Sequence, residues 1–436
     1  MPIPRLALIG LGWHARRLHG PWLRGAVAAG RARFVGLIDL ADAEGPVRAR
    51  LAELGLRPER CFFGGPNPGP ALDALRAEPG LDGVLVAAAA GAHLEVLRAA
   101  LSRGLRVVVD KPLTAPEGPR ARALAQALRD DHAELTALER AAGGQLGVLL
   151  QRRSHPAWLA AKDLLDEVRD GHGAPLTALS ISHADGMWVL PHEWNRTHHP
   201  YSHGAGKLLH SGVHFVDLMG WLLPAGPPGA SLDLWVAEAT APDIDARTAG
   251  ARAALPGPAA GPPVSPVHPG EVDLCALGRL RRGGAVEALI QLELLQGAVS
   301  WRASSAPAAD PYKGAGRVRH ERLSLHVGPL LHVALTHHPQ DADELRSGDR
   351  PVELHICRSP LLAGPRVERR SYGPQGAWGP NEAARIALLD DFLAGGRGGS
   401  SLAEQARTVQ LLAALVDARD RGRRGEAPTS VVHLSG

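Results

Sequence analysis

The sequence predicts an α/β protein of two domains: an N-terminal doubly wound parallel sheet, then a C-terminal α+β domain with a largely antiparallel sheet. Three observations predict it. Residues 1–150 alternate short apolar runs with helix-length periodic segments, as right-handed crossovers in a parallel sheet require. Residues 151–436 carry consecutive strand-like runs with few helices between them, which argues antiparallel pairing. The length, 436 residues, suits two or three domains at roughly 150 residues each.

In the first half, 5–9 (RLALI) is an apolar run that stops at glycines, and 13–30 has an Ala-rich helical pattern. A second buried strand, 34–38 (FVGLI), ends at Asp39 and leads into a helix over 46–54. Strands follow at 84–88 (VLVAA), 105–109 (LRVVV) and 145–150 (QLGVLL), with helical patterns at 92–102, 117–128 and 133–141. The second half opens with a helix over 157–168, an alternating segment 176–182 and a helix over 207–223. Strand patterns then occupy 232–239, 271–280, 285–294, 322–327, 331–335 and 352–357, and helices 381–393 and 401–421 end the chain. The Pro/Gly/Ala-rich stretch at about 242–270 reads as a mobile surface insertion.

Composition excludes several classes. Apolar residues are 45% and charged residues 21%, a globular balance. The net charge is +3, and Lys and Arg are interspersed without a basic stripe, so nucleic acid and membrane surfaces are not expected partners. Cys61, Cys275 and Cys357 are scattered and odd in number, as in a reduced protein without a disulfide frame. The N-terminus lacks the basic start and apolar core of a secretory signal, and no apolar stretch reaches the roughly 18 residues of a bilayer span. A cytoplasmic location is expected.

Gly10-Leu-Gly12-Trp-His-Ala15 lies between the first strand and the first helix, in the pattern G-x-G-x-x-A of dinucleotide-binding Rossmann folds. Gly10 permits the tight turn, Gly12 leaves room for the pyrophosphate, and Ala15 lets helix and strand pack closely. Asp39 at the end of the second strand can accept both ribose hydroxyls of NAD, and its charge would repel the extra phosphate of NADP. The expected cofactor is therefore NAD, with NADP second.

Together with that fingerprint, three further segments resemble the Gfo/Idh/MocA family, the relatives of glucose–fructose oxidoreductase and inositol dehydrogenase. They are 84–93 (VLVAAAAGAH), Val109-Asp-Lys111-Pro112, and 204–217 (GAGKLLHSGVHFVD), which ends in Gly-x-His-x-x-Asp. The resemblance implies an oxidoreductase that moves a hydride between nicotinamide and a secondary alcohol or ketone carbon of a sugar, cyclitol or related metabolite. It adds Trp13, His14, Ala88, His93, Lys111 and Pro112 to the cofactor set, and a Lys111–Pro112 bond that in this family is often cis. It implies His214 as catalytic acid/base, Arg153 near substrate, no metal, and a homodimer or homotetramer joined through the open sheet face. Two positions depart from the family pattern: Asp110 stands for Glu, and His210 stands where an Asp often precedes the catalytic His by four residues.

The residue types suit this chemistry. Lys111, one of four lysines, offers a compact ammonium for a substrate hydroxyl or a developing alkoxide. His214 can exchange the hydroxyl proton, with His210 as an auxiliary and Asp217 one turn away to orient it or cap a neighbour. His210 and His214 also have the H-x-x-x-H spacing of a zinc pair, but no Glu follows the first His. The segment 185–201 (DGMWVLPHEWNRTHHPY) supplies Trp188, Glu193, Trp194 and Asn195, suited to a hydroxylated ring or to holding a surface loop. Two other functions stay open: an NAD-dependent glycosidase without net redox change, and an NAD-binding regulatory or scaffold protein, which the His210 departure keeps in view.

Overall fold

A computed structural model describes residues 2–184, 206–224, 229–240, 270–295, 320–337, 351–373 and 380–434. The expected insertion, apart from Gly270, lies outside the described residues, as do Trp188, Glu193, Trp194 and Asn195. The chain forms two compact units. The first holds Met1–Pro116, Ala127–Gln151 and Ala384–Ala406; the second holds Glu117–Gln126, Arg152–Ala383 and Arg407–Gly436. Set against the expected 1–150 and 151–436, two short segments have exchanged sides through packing that no local pattern reports.

Sheet A of the first unit has the order β3-β2-β1-β4-β5-β6. Its strands are β1 (Arg5–Ile9), β2 (Arg33–Leu40), β3 (Arg60–Gly64), β4 (Gly83–Val86), β5 (Arg106–Asp110) and β6 (Gln145–Leu149). All neighbours pair in parallel. The described α-helices of the chain are α1 (Trp13–Arg17), α2 (His19–Ala28), α3 (Glu44–Leu54), α4 (Gly69–Ala77), α5 (His93–Leu101), α6 (Leu124–Ala142), α7 (Pro156–His172), α8 (Val213–Leu222), α9 (Pro380–Leu393) and α10 (Leu402–Arg423).

The helix expected over 13–30 is two helices, broken at Leu18 (φ −122°, ψ −65°). Pro21 explains the break: it has no N–H, and its ring would crowd the carbonyl of Arg17 four residues back. The helices expected over 117–128 and 133–141 are a 3-10 turn (Gly118–Ala123) followed by the single helix α6. Strand β3 and helix α4 were not expected. β3 is half-buried and carries no long apolar run.

The core of the first unit gathers Leu6, Leu8, Leu37, Leu85 and Val108 with Trp22 and Leu23. Leu389 and Phe392 of α9 join it from the far end of the sequence. Gly83 makes that approach possible, since a Cβ there would lie 2.8 Å from Phe392 Cζ. Trp22 Nε1 donates to Asp390 at 3.0 Å and ties α2 to the same helix. Ser400 pairs with Val148 through N–H···O bonds of 2.9 and 3.0 Å and so covers the β6 edge.

Sheet B of the second unit has the order β14-β13-β12-β11-β7-β10-β9-β8-β15. Its strands are β7 (Ala178–Ala184), β8 (Ser231–Thr240), β9 (Glu271–Arg282), β10 (Ala285–Leu295), β11 (His320–Val327), β12 (Leu331–His337), β13 (Val352–Arg358), β14 (Val367–Tyr372) and β15 (Thr429–His433). Neighbours pair antiparallel except β7 and β10, which are parallel. Alternate residues of β11, β12 and β13 are buried, as a sheet with one covered face requires. Helix α7 packs on strands β11 to β14, and α8 on β7. The helix expected over 207–223 starts as a π-turn (Leu208–Gly212) that runs into α8. Among the described residues, no helix is long and apolar enough to cross a membrane.

The Phe392→Ala change removes a fully buried ring from the first unit and should cost about 3–5 kcal/mol of its stability. Thermal unfolding followed by circular dichroism checks this; an unchanged midpoint would mean that α9 contributes nothing to this core.

Candidate functional site

The order of sheet A reverses between β1 and β4, so the glycine turn stands at a topological switch point, on the carboxyl edge of the sheet. Gly10 has φ +85°, and a Cβ there would come within 2.8 Å of Ala88 Cα and N. Only glycine allows both the conformation and the close approach of the two chain segments. At Gly12 an added Cβ would meet nothing within 4 Å, so the backbone faces open space. Ala15 is completely buried. Asp39 accepts from Leu11 N–H at 2.8 Å and from Leu40 N–H at 2.9 Å, which fixes its carboxylate beside the turn. Arg50 Nη1 donates to the Leu11 carbonyl at 2.8 Å. A tight glycine turn, an open second glycine and an anchored carboxylate fit an adenine dinucleotide.

The end of β5 forms the other half of this edge. The Lys111–Pro112 bond is cis. His93 is buried, with Nδ1 2.8 Å from the Pro112 carbonyl and Nε2 3.2 Å from the Ala88 carbonyl. Burial pushes its pKa down, and a neutral ring donates from one nitrogen only, so the shorter contact is the natural donor. His93 thus joins the β4 turn to Pro112. Its assignment to the cofactor set rests on the resemblance alone.

Asp110 is the carboxylate around which this corner is arranged. His19, completely buried, brings Nε2 to 3.1 Å from Asp110 Oδ2, and His14 Nε2 lies at 4.0 Å. Burial alone would raise the Asp110 carboxyl, but His19, His14 and Arg385 outweigh it and hold the group well below the usual carboxylate range. His14 is half-exposed, and its Nε2 accepts from Arg385 Nη1. Desolvation, then the Arg385 guanidinium, push His14 down to about 3, with Lys111 adding a smaller push. Possible ligand atoms of His14, His19 and Asp110 lie within 4.8 Å of one another, a spacing that could hold a metal ion. The guanidinium already on His14 Nε2 opposes a cation there. His19, Arg385 and Arg50 were missed in the sequence. Arg385 is 371 positions from His14, and nothing local marks it.

In the second unit, Gly206 (φ +56°) leads into the π-turn, and a Cβ there would run into the Glu271 carboxylate. Glu271, completely buried, accepts from Leu208 N–H at 2.7 Å and pairs with Arg419. This fastens the start of the segment that carries His210 and His214. His214 is buried and His210 half-buried. Lys207, just ahead of them, is also completely buried. Asp217 accepts from Arg153 Nε and Nη2, both at 2.6 Å, and from Thr408 Oγ1 at 2.8 Å. The Arg153 fork therefore anchors α8, and Asp217 serves this anchor. Phe215 lies between the His183 ring, stacked at 4.3 Å, and the Arg152 guanidinium at 4.6 Å. Arg152 also pairs with buried Glu321, and His337 Nδ1 lies 3.6 Å from the same carboxylate. His155 caps α7, its Nδ1 accepting from Ala157 N–H at 3.1 Å. Burial, then His337, push His155 down to about 4.

Residues 4–137 match the model of a family described as "Oxidoreductase family, NAD-binding Rossmann fold", GFO_IDH_MocA. The amino-terminal domain belongs to the Gfo/Idh/MocA family. The matched stretch is the family's NAD-binding Rossmann domain. Solved structures extend the likeness to the whole chain. An oxidoreductase from Agrobacterium radiobacter, in complex with NAD+, L-tartaric acid and magnesium, is 16% identical, with TM-score 0.62 and coverage of 99% of each chain. An oxidoreductase domain protein from Kribbella flavida is 18% identical, with TM-score 0.61, covering 99% of this chain and 100% of that one. A 3-ketoreductase from Actinomadura kijaniata, in complex with NADP and TDP-benzene, is 17% identical, with TM-score 0.57 and 98% coverage of each chain. At these identities the likeness establishes the fold. No curated protein sequence matches this chain.

His155 gives the second unit an acid weakness. Its folded pKa lies below the ordinary value of about 6.5, so its contribution to stability is complete above that value and is lost as the pH falls towards 4. Between pH 8 and pH 5 this one group should cost about 2 kcal/mol. His155→Asn keeps a capping oxygen and removes the titration, so urea midpoints at the two pH values should lie closer together than in the wild type.

Proposed function

We propose that this chain is an NAD-dependent dehydrogenase or reductase acting on a secondary alcohol or ketone carbon of a hydroxylated metabolite, such as a sugar or cyclitol. One observation carries the reading. Lys111 directly follows the last residue of β5, on the sheet edge that bears the glycine turn, and its bond to Pro112 is cis. The cofactor supplies the hydride acceptor or donor. Gly10, Gly12, Trp13, His14, Ala15, Asp39, Ala88, His93, Lys111 and Pro112 bind and orient it. Lys111 donates a hydrogen bond to the substrate oxygen and stabilises the charge that develops on it. His214 takes the hydroxyl proton during oxidation and returns it during reduction, with His210 as auxiliary. Arg153 serves substrate through the helix it anchors, and Trp188, Trp194 and Asn195 complete the substrate set. The resident cofactor is NAD, since Asp39 accepts ribose hydroxyls and repels a phosphate. A polyhydroxylated substrate agrees with the L-tartaric acid and L-sorbose bound by two structures of this fold.

The active form is a homodimer or homotetramer. Trp235, Leu277, Leu289 and Val431 are 45–61% exposed. The strand register places all four on one face of sheet B. An apolar face of this kind suits a second copy of the chain. Leu277→Arg should convert the oligomer to monomer in sedimentation experiments; an unshifted mass would remove this face from the interface.

NADH absorbance with a panel of sugars and cyclitols tests the activity. Lys111→Ala and His214→Ala should each lower turnover about 10²- to 10⁴-fold, with NAD binding retained in His214→Ala and weakened in Lys111→Ala. Glycoside cleavage without net NADH would turn the assignment to a hydrolase. Full cellular activity in both variants, lost only when NAD binding is lost, would indicate a sensor or scaffold. Asp39→Ala should weaken NAD and improve NADP relative to wild type; two untouched affinities would remove Asp39 from the ribose.

A further inference from the structure

We propose that His14 donates a hydrogen bond from Nδ1 to a phosphate oxygen of the bound dinucleotide, and that Arg385 is the positioning residue that makes it do so. The inference rests on the cofactor site proposed above and names two side chains that act on the diphosphate. A guanidinium can only donate. Since Arg385 Nη1 bonds His14 Nε2, that nitrogen must carry the lone pair. The ring is neutral at neutral pH, because a guanidinium donating to Nε2 leaves no lone pair there for a second proton and its charge opposes an imidazolium. Its one proton therefore sits on Nδ1. Donation into Nε2 also polarises the ring, which strengthens Nδ1–H as a donor. His14 is two residues beyond Gly12, where the backbone faces open space, and its side chain is 49% exposed. The donor edge can thus be reached by a ligand while the other edge is held.

Arg385 is itself 9% exposed, and the Gln151 amide, oriented with its oxygen towards the guanidinium, accepts from Nη2 at 3.0 Å. Its position is therefore fixed before any ligand arrives. The charges acting on His14 decide the sign of that ligand. Arg385 and Lys111 are cationic and Asp110 is anionic, while His19 holds the Asp110 carboxylate at 3.1 Å. The guanidinium bonded to His14 Nε2 opposes a divalent cation at this ring and favours an anion. Arg suits the anchoring role better than Lys, because a planar fork can bond an imidazole and an amide together.

Calorimetric titration of the full chain with ADP-ribose and with adenosine tests the proposal. Arg385→Met and His14→Ala should each weaken ADP-ribose about tenfold to hundredfold and leave adenosine unchanged. The double variant should be no worse than the weaker single, because the two side chains act as one unit. Unchanged ADP-ribose affinity in both single variants, or additive losses in the double, overturns the proposal. ¹⁵N spectra of the wild-type histidines give a reading that does not depend on how a variant folds: His14 must carry its proton on Nδ1, and a proton on Nε2 also overturns it. Should wild-type protein bind neither ADP-ribose nor NAD, the cofactor assignment fails instead, and the ¹⁵N result still reports whether the Arg385–His14 bond exists.

Discussion

A largely buried negative charge at the end of β5 has to be answered, and His19, His14 and Arg385 of the amino-terminal unit are arranged around it. Asp110 is the last residue of a strand whose preceding Val107, Val108 and Val109 are wholly buried. A carboxylate in such surroundings stays ionised only if hydrogen bonds and opposite charge replace the water it lost. His19 provides the bond. Arg385 adds a smaller share of positive charge from the far end of the sequence. Holding Asp110 in this way also fixes the strand end from which Lys111 follows. The break between α1 and α2 belongs to the same arrangement, because His19 opens the second helix with its ring turned to the carboxylate.

The carboxyl-terminal unit meets a similar problem with a different solution. Its His-bearing segment begins in a π-turn, whose hydrogen bonding differs from that of an ordinary helix and which often marks functional sites. Two buried ion pairs hold the segment at its ends. Glu271 takes the Leu208 N–H and Arg419 at the start, and Asp217 takes Arg153 and Thr408 further on. Buried pairs of this kind add little net stability, but losing one partner leaves an uncompensated charge and is costly. They therefore fix where His210 and His214 stand more than they strengthen the fold.

The sequence was most readable where one physical signal dominated. Apolar strands of the parallel sheet, the glycine fingerprint and the alternating strands of sheet B all appear where their patterns place them. The misses have physical causes. Strand β14 (VERRSY) is a charged edge strand, so alternation could not mark it. The apolar periodicity of 13–30 runs straight through Pro21 and hides the break between α1 and α2. Arg385 and His19 could not have been found at all. Each is an ordinary residue of a helix, and its importance comes from a partner brought near by folding. The Arg153 fork on Asp217 is likewise a pairing that nothing local in the sequence marks.

Ser400 forms two backbone bonds with Val148, and Gly399 fits there only because it lacks a side chain: a Cβ would touch the Val148 carbonyl oxygen. One border of the parallel sheet is thus sealed by the protein's own chain. A foreign strand cannot be added at that border, so neither fibril-like stacking nor strand exchange between neighbouring molecules can begin from it.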